Sequence, residues 1–296
     1  MLQAISSQHD AHHERRRKNS LASLTGSLRD NRAHLLLAAS GSVATIKLPL
    51  IIEALAQRHS ERNSGKELSI RVLLTPAASR FLAGQSHEQP PLSSLLSMPC
   101  VDGIYVDADE WREPWKRGDA ILHIELRRWA DLLVIAPLSA NTMAKIVGGF
   151  ADGILTSVVR AWDAWGELDS DLVLTNGEQP LLDGNRRRRQ KKHIIVAPAM
   201  NTAMWRHPVT AKSLRVLEEE WGVHRNSNKA AQEPTADESH TVEEQVENAD
   251  TDDDGGWFEV LRPQQKTLAC GDVGDGAMME WKDIVTVIED RLGLNE

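Results

Sequence analysis

The sequence predicts an α/β fold in which helices cover both faces of one doubly wound, mostly parallel β-sheet. Short apolar runs recur along the chain without the apolar/polar alternation of half-exposed strands. Each run is followed by small or hydroxyl-bearing residues and then by a segment with helical apolar spacing. Strands that alternate with helices are typical of α/β domains. The four clearest runs are His34–Ala39, Ile70–Thr75, Leu132–Ala136 and His193–Ala197.

The domain organisation predicted from composition is one domain with polar insertions. A chain of 296 residues can bury a full core. Residues 1–32 lack apolar periodicity and include the basic run Arg15–Lys18, so we expect a disordered tail before a domain over 33–296. Two insertions are expected, at about 165–192 and 225–256, because both stretches are polar and too poor in apolar residues to pack.

The charge of the chain is unevenly distributed. The formal net charge is -9, but residues 231–256 hold ten acidic side chains and no Lys or Arg, so the rest of the chain is nearly neutral. We therefore expect no nucleic acid partner. No signal peptide and no apolar run of ~20 residues is apparent, so we expect no membrane segment and a cytoplasmic location. The basic run in the tail leaves nuclear access open.

Three predicted strands end in side chains that can hold an anion. Gly41, Ser42 and Val43 follow the first run, Thr75 ends the second, and the segment Ser139–Thr142 follows the third. The carboxyl ends of parallel strands lie at one edge of a sheet, where α/β proteins bind ligands. Backbone N–H groups and the helix dipole at such a turn favour a phosphate. Each turn is also compatible with a capped helix and no ligand.

Three residues have side chains suited to proton transfer or to binding a carboxylate. His123 lies near the start of a predicted helix, and Asn201 follows the fourth run. Cys270 begins a loop with three glycines within six residues, which suits a lid that carries a proton donor or a nucleophile. A structural histidine and a helix-capping asparagine are the alternatives for the first two. No second cysteine lies at metal-ligand spacing from Cys270, so we expect no metal site.

Six blocks of sequence carry a resemblance to a known family. They are Ser40–Ala44, His123–Asp131, Ala136–Thr142, Arg160–Asp163, Pro198–Trp205 and Leu268–Met278. In this order they resemble the phosphopantothenoylcysteine decarboxylases, which are FMN-dependent cysteine decarboxylases. The resemblance implies a flavodoxin-like (Rossmann-like) sheet, one FMN per subunit, and a homotrimer that can include paralogues, with active sites between subunits. It also implies decarboxylation of phosphopantothenoylcysteine to phosphopantetheine in coenzyme A biosynthesis.

The resemblance also assigns roles to individual residues. It makes His123 the active-site base, Asn201 the group that holds the substrate carboxylate, and Cys270 the acid that protonates the product. Thr267, Ala269 and Met278 match the flap over the substrate. The positions that match FMN-binding residues are Gly41, Ser42, Val43, Thr75, Ser139, Ala140, Asn141, Thr142 and Ala199.

Two competing functions remain on the same fold. The insertions resemble those of longer fungal members that act as inhibitory subunits of a protein phosphatase, so a phosphatase is a possible partner. The presence of His123, Asn201 and Cys270 in one chain favours the enzyme. The function of a flavin prenyltransferase agrees less well with this sequence, because the flavin prenyltransferases lack the blocks around Asn201 and Cys270. A flat apolar surface around Trp111, Trp115 and the helix from His123 is predicted to form a subunit contact.

Overall fold

The structure is a computed structural model, and it describes residues 19–62, 67–166, 168, 191–223, 255–267 and 273–295. Residues 1–18 of the predicted tail lie outside this range. So do most of the insertion expected at 165–192 and nearly all of that expected at 225–256. The domain boundaries proposed for these segments therefore stay predictions.

The described chain contains a six-stranded sheet in which every neighbouring pair is parallel. The strand order is β3-β2-β1-β4-β5-β6, so the winding direction reverses between β1 and β4. This order is that of a Rossmann-type sheet, and it confirms the doubly wound α/β prediction. The strands are β1 (Ala33–Ala39), β2 (Leu68–Leu74), β3 (Val101–Val106), β4 (Leu132–Leu138), β5 (His193–Pro198) and β6 (Phe258–Val260).

Helices form a layer on each face of the sheet. The helices are α1 (Leu21–Gly26), α2 (Leu48–Arg62), α3 (Pro76–Ser79), α4 (Leu92–Leu95), α5 (Leu122–Trp129), α6 (Ala140–Val147), α7 (Ile154–Arg160), α8 (Thr202–Trp205), α9 (Pro208–Arg215) and α10 (Trp281–Arg291). Short 3-10 helices span Val43–Lys47 and Asp107–Asp109, and a π-helical turn spans Val216–Glu220. Helices α2, α3, α4 and α10 pack on one face, and α1, α5, α6, α7 and α9 on the other.

The two hydrophobic cores lie on opposite faces of the same strands. In β1, Leu35 and Leu37 contribute to one core, while Leu36 and Ala38 contribute to the other. All four are fully buried. Full burial of a leucine side chain is worth about 1.5–3 kcal/mol, so both faces of the strand favour folding. This two-sided burial explains why the predicted strands are continuous apolar runs.

Residues 19–32 differ from the disordered tail that the sequence predicted. Ser20 caps α1 by accepting a hydrogen bond from Ser23 N at 3.1 Å, and Leu24 of that helix is fully buried. The Asn19 amide group also bonds the backbone of Ile104 on the edge strand β3, accepting from its N–H at 2.9 Å. The tail expectation is therefore wrong for 19–32, because one buried leucine and two polar contacts fix the segment against the sheet.

The helix α1 covers a buried arginine of the sheet. Arg71 is 1% exposed, and its guanidinium lies 5.1 Å from the centre of the Trp129 ring. It also donates to the Tyr105 hydroxyl and, at 3.3 Å, to the hydroxyl of Ser27 just after α1. Burying a charge is costly unless aromatic rings and hydrogen-bond acceptors surround it. The N-terminal segment supplies part of that environment.

An antiparallel ribbon follows the sheet and ends close to β5. It consists of β7 (Gln264–Thr267) and β8 (Val273–Ala277). Just before the ribbon, Trp221 and Trp257 stack with ring centres 5.6 Å apart, and Trp257 N donates to Trp221 O at 2.9 Å. The chain is therefore in contact with itself on either side of the second predicted insertion. None of the helices in the described ranges is long and apolar enough to cross a bilayer.

Candidate active site

A cavity of about 320 Å³ opens at the carboxyl edge of the sheet, beside the reversal of winding between β1 and β4. Five of the nine residues predicted to bind FMN line it. They are Gly41, Thr75, Ser139, Asn141 and Thr142. The structure therefore brings together three strand ends that are far apart in the sequence. The location agrees with the rule that ligands bind at the switch point of a doubly wound sheet.

A buried serine joins the first and third of these strand ends. The Ser40 hydroxyl donates to the Pro137 carbonyl at 3.0 Å and accepts from Ser139 N at 2.7 Å. Ser40 is fully buried. Because both contacts cross from β1 to β4, they hold the two loops at a fixed separation. Ser40 is absent from the predicted site residues, although it begins one of the blocks that carry the resemblance.

Three of the polar residues predicted to bind FMN act as helix caps. Ser42, Thr75 and Ser139 accept hydrogen bonds from Ala44 N, Ala78 N and Thr142 N, at 3.4, 3.3 and 3.3 Å. The capping alternative raised from the sequence is therefore realised. A hydroxyl that accepts one backbone N–H keeps its own O–H and a second lone pair. Capping and ligand binding are compatible at these positions.

Gly41 lies where two turns approach each other closely. A Cβ atom at Gly41 would lie 2.6 Å from the Cβ of Ala77 in α3. Two non-bonded carbon atoms cannot lie that close together, so one of them would have to move. Only glycine allows the turn after β1 to approach the turn after β2 this closely, and both Gly41 and Ala77 line the cavity.

The far wall of the cavity comes from residues that the sequence did not indicate. Lys145 of α6 bonds Asp152 at 2.5 Å, and this hydrogen bond holds the pKa of the Asp152 carboxyl below its usual value. Asp107, after β3, accepts from Ile154 N at 3.0 Å and so fixes the start of α7. A Cβ at Gly153 would lie 2.9 Å from the Asp107 carboxylate. Charged pairs of this kind are common on protein surfaces, so the sequence contained no signal for them.

His123 lies at the start of α5 and contacts a buried carboxylate. Its Nδ1 is 2.7 Å from Oε1 of Glu110, which follows the 3-10 helix after β3. The side chain of Glu110 is 6% exposed and that of His123 is 21% exposed. The imidazole is thus held at one nitrogen and accessible elsewhere. Glu110 directly precedes Trp111, and nothing in the neighbouring sequence identified it as a partner of His123.

Asn201 lies beside the ribbon that carries the predicted flap. Its Oδ1 accepts from Met204 N at 2.8 Å and caps α8, while the residue as a whole is exposed. The preceding residue, Met200, donates its N–H to Gly276 O of β8 at 3.0 Å. Hydrogen bonds from Arg206 and from Gln265 lower the pKa of Asp275. The bond from Arg206, which follows α8, adds a second link between α8 and the ribbon.

The flap residues are only partly within the described chain. Met278 follows β8 and is buried in one of the cores, and Thr267 ends β7. Ala269 and Cys270 lie outside the described residues. Within the described ranges, His123 makes no hydrogen bond to Asn201. The two groups are thus held by separate parts of one chain.

The remaining predicted FMN positions surround the cavity without lining it. Ala199 is buried, and its N–H donates to Leu138 O at 2.9 Å, which extends the pairing of β4 with β5. Ala140 is half-buried in the first turn of α6, Ser42 is half-buried, and Val43 is 45% exposed. Val43 is accordingly free to contact a ligand or a second subunit.

This fold and this polar strand edge define a class of flavin-binding proteins, and comparison with known families agrees. The model of the Flavoprotein family matches residues 23–293, so the chain belongs to that family. Within it the chain groups with the phosphopantothenoylcysteine decarboxylases. The Arabidopsis thaliana protein of that name is 34% identical over 249 residues, with 84% of this chain and 80% of the relative covered.

Two further relatives are much longer than this chain. A probable thymidylate synthase of Schizosaccharomyces pombe is 35% identical over 270 residues, covering 91% of this chain and 31% of the relative. Coenzyme A biosynthesis protein 3 of Saccharomyces cerevisiae is 32% identical over 270 residues, covering 89% of this chain and 34% of the relative. The chain therefore spans about a third of the length of these two proteins.

Solved structures show the same architecture. A mutant PPC decarboxylase complexed with pantothenoylaminoethenethiol superposes with a TM-score of 0.54 at 33% identity, covering 90% of this chain and all of that one. The FMN binding protein AtHal3 superposes with a TM-score of 0.51 at 34% identity, covering 87% of this chain and 95% of that one.

Proposed function

We propose that the protein is a phosphopantothenoylcysteine decarboxylase that uses FMN to convert its substrate to phosphopantetheine in coenzyme A biosynthesis. The observation that carries this proposal is the cavity at the switch point, where five predicted FMN residues from three strand ends converge. The named relatives of similar length and the ligand of the mutant PPC decarboxylase structure support the same substrate class.

The residues of the cavity fit an FMN group. Its volume lies at the lower end of the ~300–1,000 Å³ typical of ligand sites. The hydroxyls of Thr75, Ser139 and Thr142 and the amide of Asn141 supply hydrogen-bond donors for a phosphate and a ribityl chain. The N-terminal end of α6 adds a favourable dipole for an anion. FAD suits the site less well, because the sequence has no second dinucleotide half with its own glycine turn.

The chemistry assigns a distinct task to each of three residues. When bound, FMN would supply the two-electron chemistry: it would accept a hydride equivalent as the substrate thiol is oxidised, which lets the carboxylate leave as CO₂, and would return that hydride to the intermediate that Cys270 protonates. His123 removes a proton from the substrate, and Asn201 holds the carboxylate through its exposed amide. Cys270 returns a proton to the enethiolate carbon at the end of the reaction. Thr267, Ala269 and Met278 close over the substrate.

We further propose that the active protein is a homotrimer that can also include paralogues. We place it in the cytoplasm, with nuclear access through the basic tail. Trp111 and Trp115, which the sequence suggested for a subunit contact, are 63% and 51% exposed in the single chain. Closed symmetry would bury them and bring His123 of one subunit toward Asn201 of another. Light scattering at micromolar concentration tests this, and a monomer mass would refute it.

The regulatory alternative, inhibition of a protein phosphatase, has no support from a described contact. The acidic stretch that suggested it lies outside the described residues. It remains compatible with enzyme activity in the same chain.

The decisive experiment measures CO₂ release from phosphopantothenoylcysteine by the purified protein loaded with FMN. We expect yellow protein, stoichiometric non-covalent FMN and catalytic CO₂ release. Colourless protein that takes up no FMN on titration would refute the assignment. A matched control is the His123→Asn variant, which should bind FMN and release little CO₂.

A further inference from the structure

We infer that Glu110 is a positioning residue that fixes the tautomer and orientation of His123, so that Nε2 is the proton acceptor. This inference rests on the proposed function, because it assigns a partner to the proposed base. The Glu110–His123 contact of 2.7 Å joins the loop after β3 to the start of α5.

The geometry determines which nitrogen carries the proton. A carboxylate oxygen can only accept a hydrogen bond, so a neutral imidazole in contact with it at Nδ1 must carry its proton there. Nε2 then keeps its lone pair. Within the described residues, Nε2 has no hydrogen-bond partner, so the lone pair is available to a substrate. The contact therefore selects the tautomer that a general base requires.

The burial of the Glu110 carboxylate is unfavourable for stability, which indicates that this group has a functional role. Its side chain is 6% exposed, and its second oxygen, Oε2, is buried without a hydrogen-bond partner in the described chain. Leaving a buried polar atom unpaired costs about 1–3 kcal/mol, and more for a charged group. A fold that keeps this carboxylate buried beside an imidazole retains an unfavourable arrangement, which is typical of functional sites.

Local hydrogen bonds order the loop that carries Glu110. Glu110 N donates to Asp107 O at 3.2 Å, which ties it to the end of the 3-10 helix. At the other end, Trp115 Nε1 donates to Asp119 O at 2.9 Å, and Lys116 N donates to the Asp119 carboxylate at 2.8 Å. These contacts order the loop between Glu110 and His123. A pre-organised partner costs little further entropy when the base acts.

The direct test is nitrogen NMR on protein labelled with ¹⁵N-histidine, with His123 assigned by its absence from His123→Asn. We expect the neutral ring of His123 in the wild type to be protonated at Nδ1, and this preference to be lost in Glu110→Gln. A wild-type ring protonated at Nε2 would overturn the inference. The measurement needs neither substrate nor FMN, so it decides the role of Glu110 even if the protein does not decarboxylate phosphopantothenoylcysteine.

Kinetics provide the second test. Glu110→Gln should lower kcat by about 10²–10⁴ while KM and FMN affinity stay unchanged, because a general base acts in the transition state. Glu110→Asp should recover part of the activity, and Glu110→Gln combined with His123→Asn should be no slower than His123→Asn alone. The matched control is Glu113→Gln, an exposed acid in the same loop. Equal activity of Glu110→Gln and Glu113→Gln, or fully additive losses in the double variant, would overturn the inference.

Discussion

Ser40 and Ser139 are 99 positions apart in the chain, yet the Ser139 N–H donates to the Ser40 hydroxyl at 2.7 Å. This hydrogen bond connects the ends of β1 and β4 at the point where the sheet reverses its winding. The same hydroxyl donates to Pro137 O, so one buried side chain satisfies two backbone groups. The Ser40 hydroxyl therefore adds a side-chain link between the two loops that line the cavity, beside the backbone bond from Ser40 N to Pro137 O at 3.0 Å.

Ser40→Ala should weaken both the fold and the binding of FMN. The substitution leaves the N–H of Ser139 without its hydrogen-bond acceptor in a buried place, which costs about 1–3 kcal/mol. Urea unfolding of the apoprotein and FMN titration by flavin fluorescence measure the two effects. Ser94→Ala is the control, because the Ser94 hydroxyl makes a 2.7 Å bond to Pro91 O at an exposed site far from the cavity. Wild-type FMN affinity in Ser40→Ala would show that the loops keep their separation without this link.

Gly41→Ala should reduce FMN affinity, on the order of tenfold, because the added methyl group collides with Ala77 and separates the two turns. The effect should be reversed by Ala77→Gly in the same chain, since that removes the carbon atom 2.6 Å from the new Cβ. FMN titration of the single and double variants measures this. If Ala77→Gly fails to restore binding, the loss comes from another contact of Gly41.

His123→Asn and Cys270→Ser should stop the proposed reaction at different stages. Without its base, His123→Asn should release little CO₂. Cys270→Ser should release CO₂ but accumulate oxidised intermediate while the flavin stays reduced, because a hydroxyl is a much weaker acid than a thiol and loss of a general acid costs ~10²–10⁴ in rate. Stopped-flow absorbance of the flavin combined with product mass spectrometry distinguishes the stages. Turnover of Cys270→Ser at the wild-type rate would remove Cys270 from the mechanism.

Asp30→Asn should make stability less dependent on pH in the acid range. Burial raises the pKa of Asp30, but hydrogen bonds from Arg32 and His34 together outweigh this and lower the pKa below its ordinary value of 3.8. A carboxyl with a lowered pKa stabilises the fold above its unfolded pKa, and the stabilisation is lost as the pH falls through the folded pKa. The wild type should therefore lose more unfolding free energy than Asp30→Asn as the pH falls below about 3.8.

Urea unfolding between neutral pH and pH ~3 measures this difference. Glu53→Gln, an exposed acid on α2, should follow the wild type. If the unfolding free energies of the wild type and Asp30→Asn changed equally with pH, the ion pairs of Asp30 would make no contribution to acid-dependent stability.

The central strands could be predicted because burial on both faces leaves a continuous apolar run in the sequence. The runs at His34–Ala39 and Leu132–Ala136 correspond to β1 and β4 within two residues. The edge strand β3 could not be predicted in this way, because Asp102 and Gly103 interrupt its apolar pattern. An edge strand has fewer neighbours to satisfy, so its sequence is less constrained.

Those parts of the candidate site that depend on local sequence could be predicted. Contacts between side chains that are distant in the sequence could not. Turn residues such as Gly41 and Ser139 follow a strand directly, so their place at the sheet edge could be inferred. The contact of Glu110 with His123 depends on the path of the loop between them. Likewise, the buried position of Arg71 depends on α1, whose single core leucine, Leu24, is too short a signal within a polar stretch.

The contact between Trp221 and Trp257 holds the two ends of the intervening chain together, so the length of that chain can vary. A Cβ at Gly256 would lie 2.0 Å from Gly222 O, so the two glycines bring the flanking backbones into direct contact. The ends of the second predicted insertion are thus clamped together by residues of the domain itself. Lengthening a closed loop costs only about 0.6 kcal/mol for each doubling. This junction can therefore accept segments of very different length and charge while the fold continues across it.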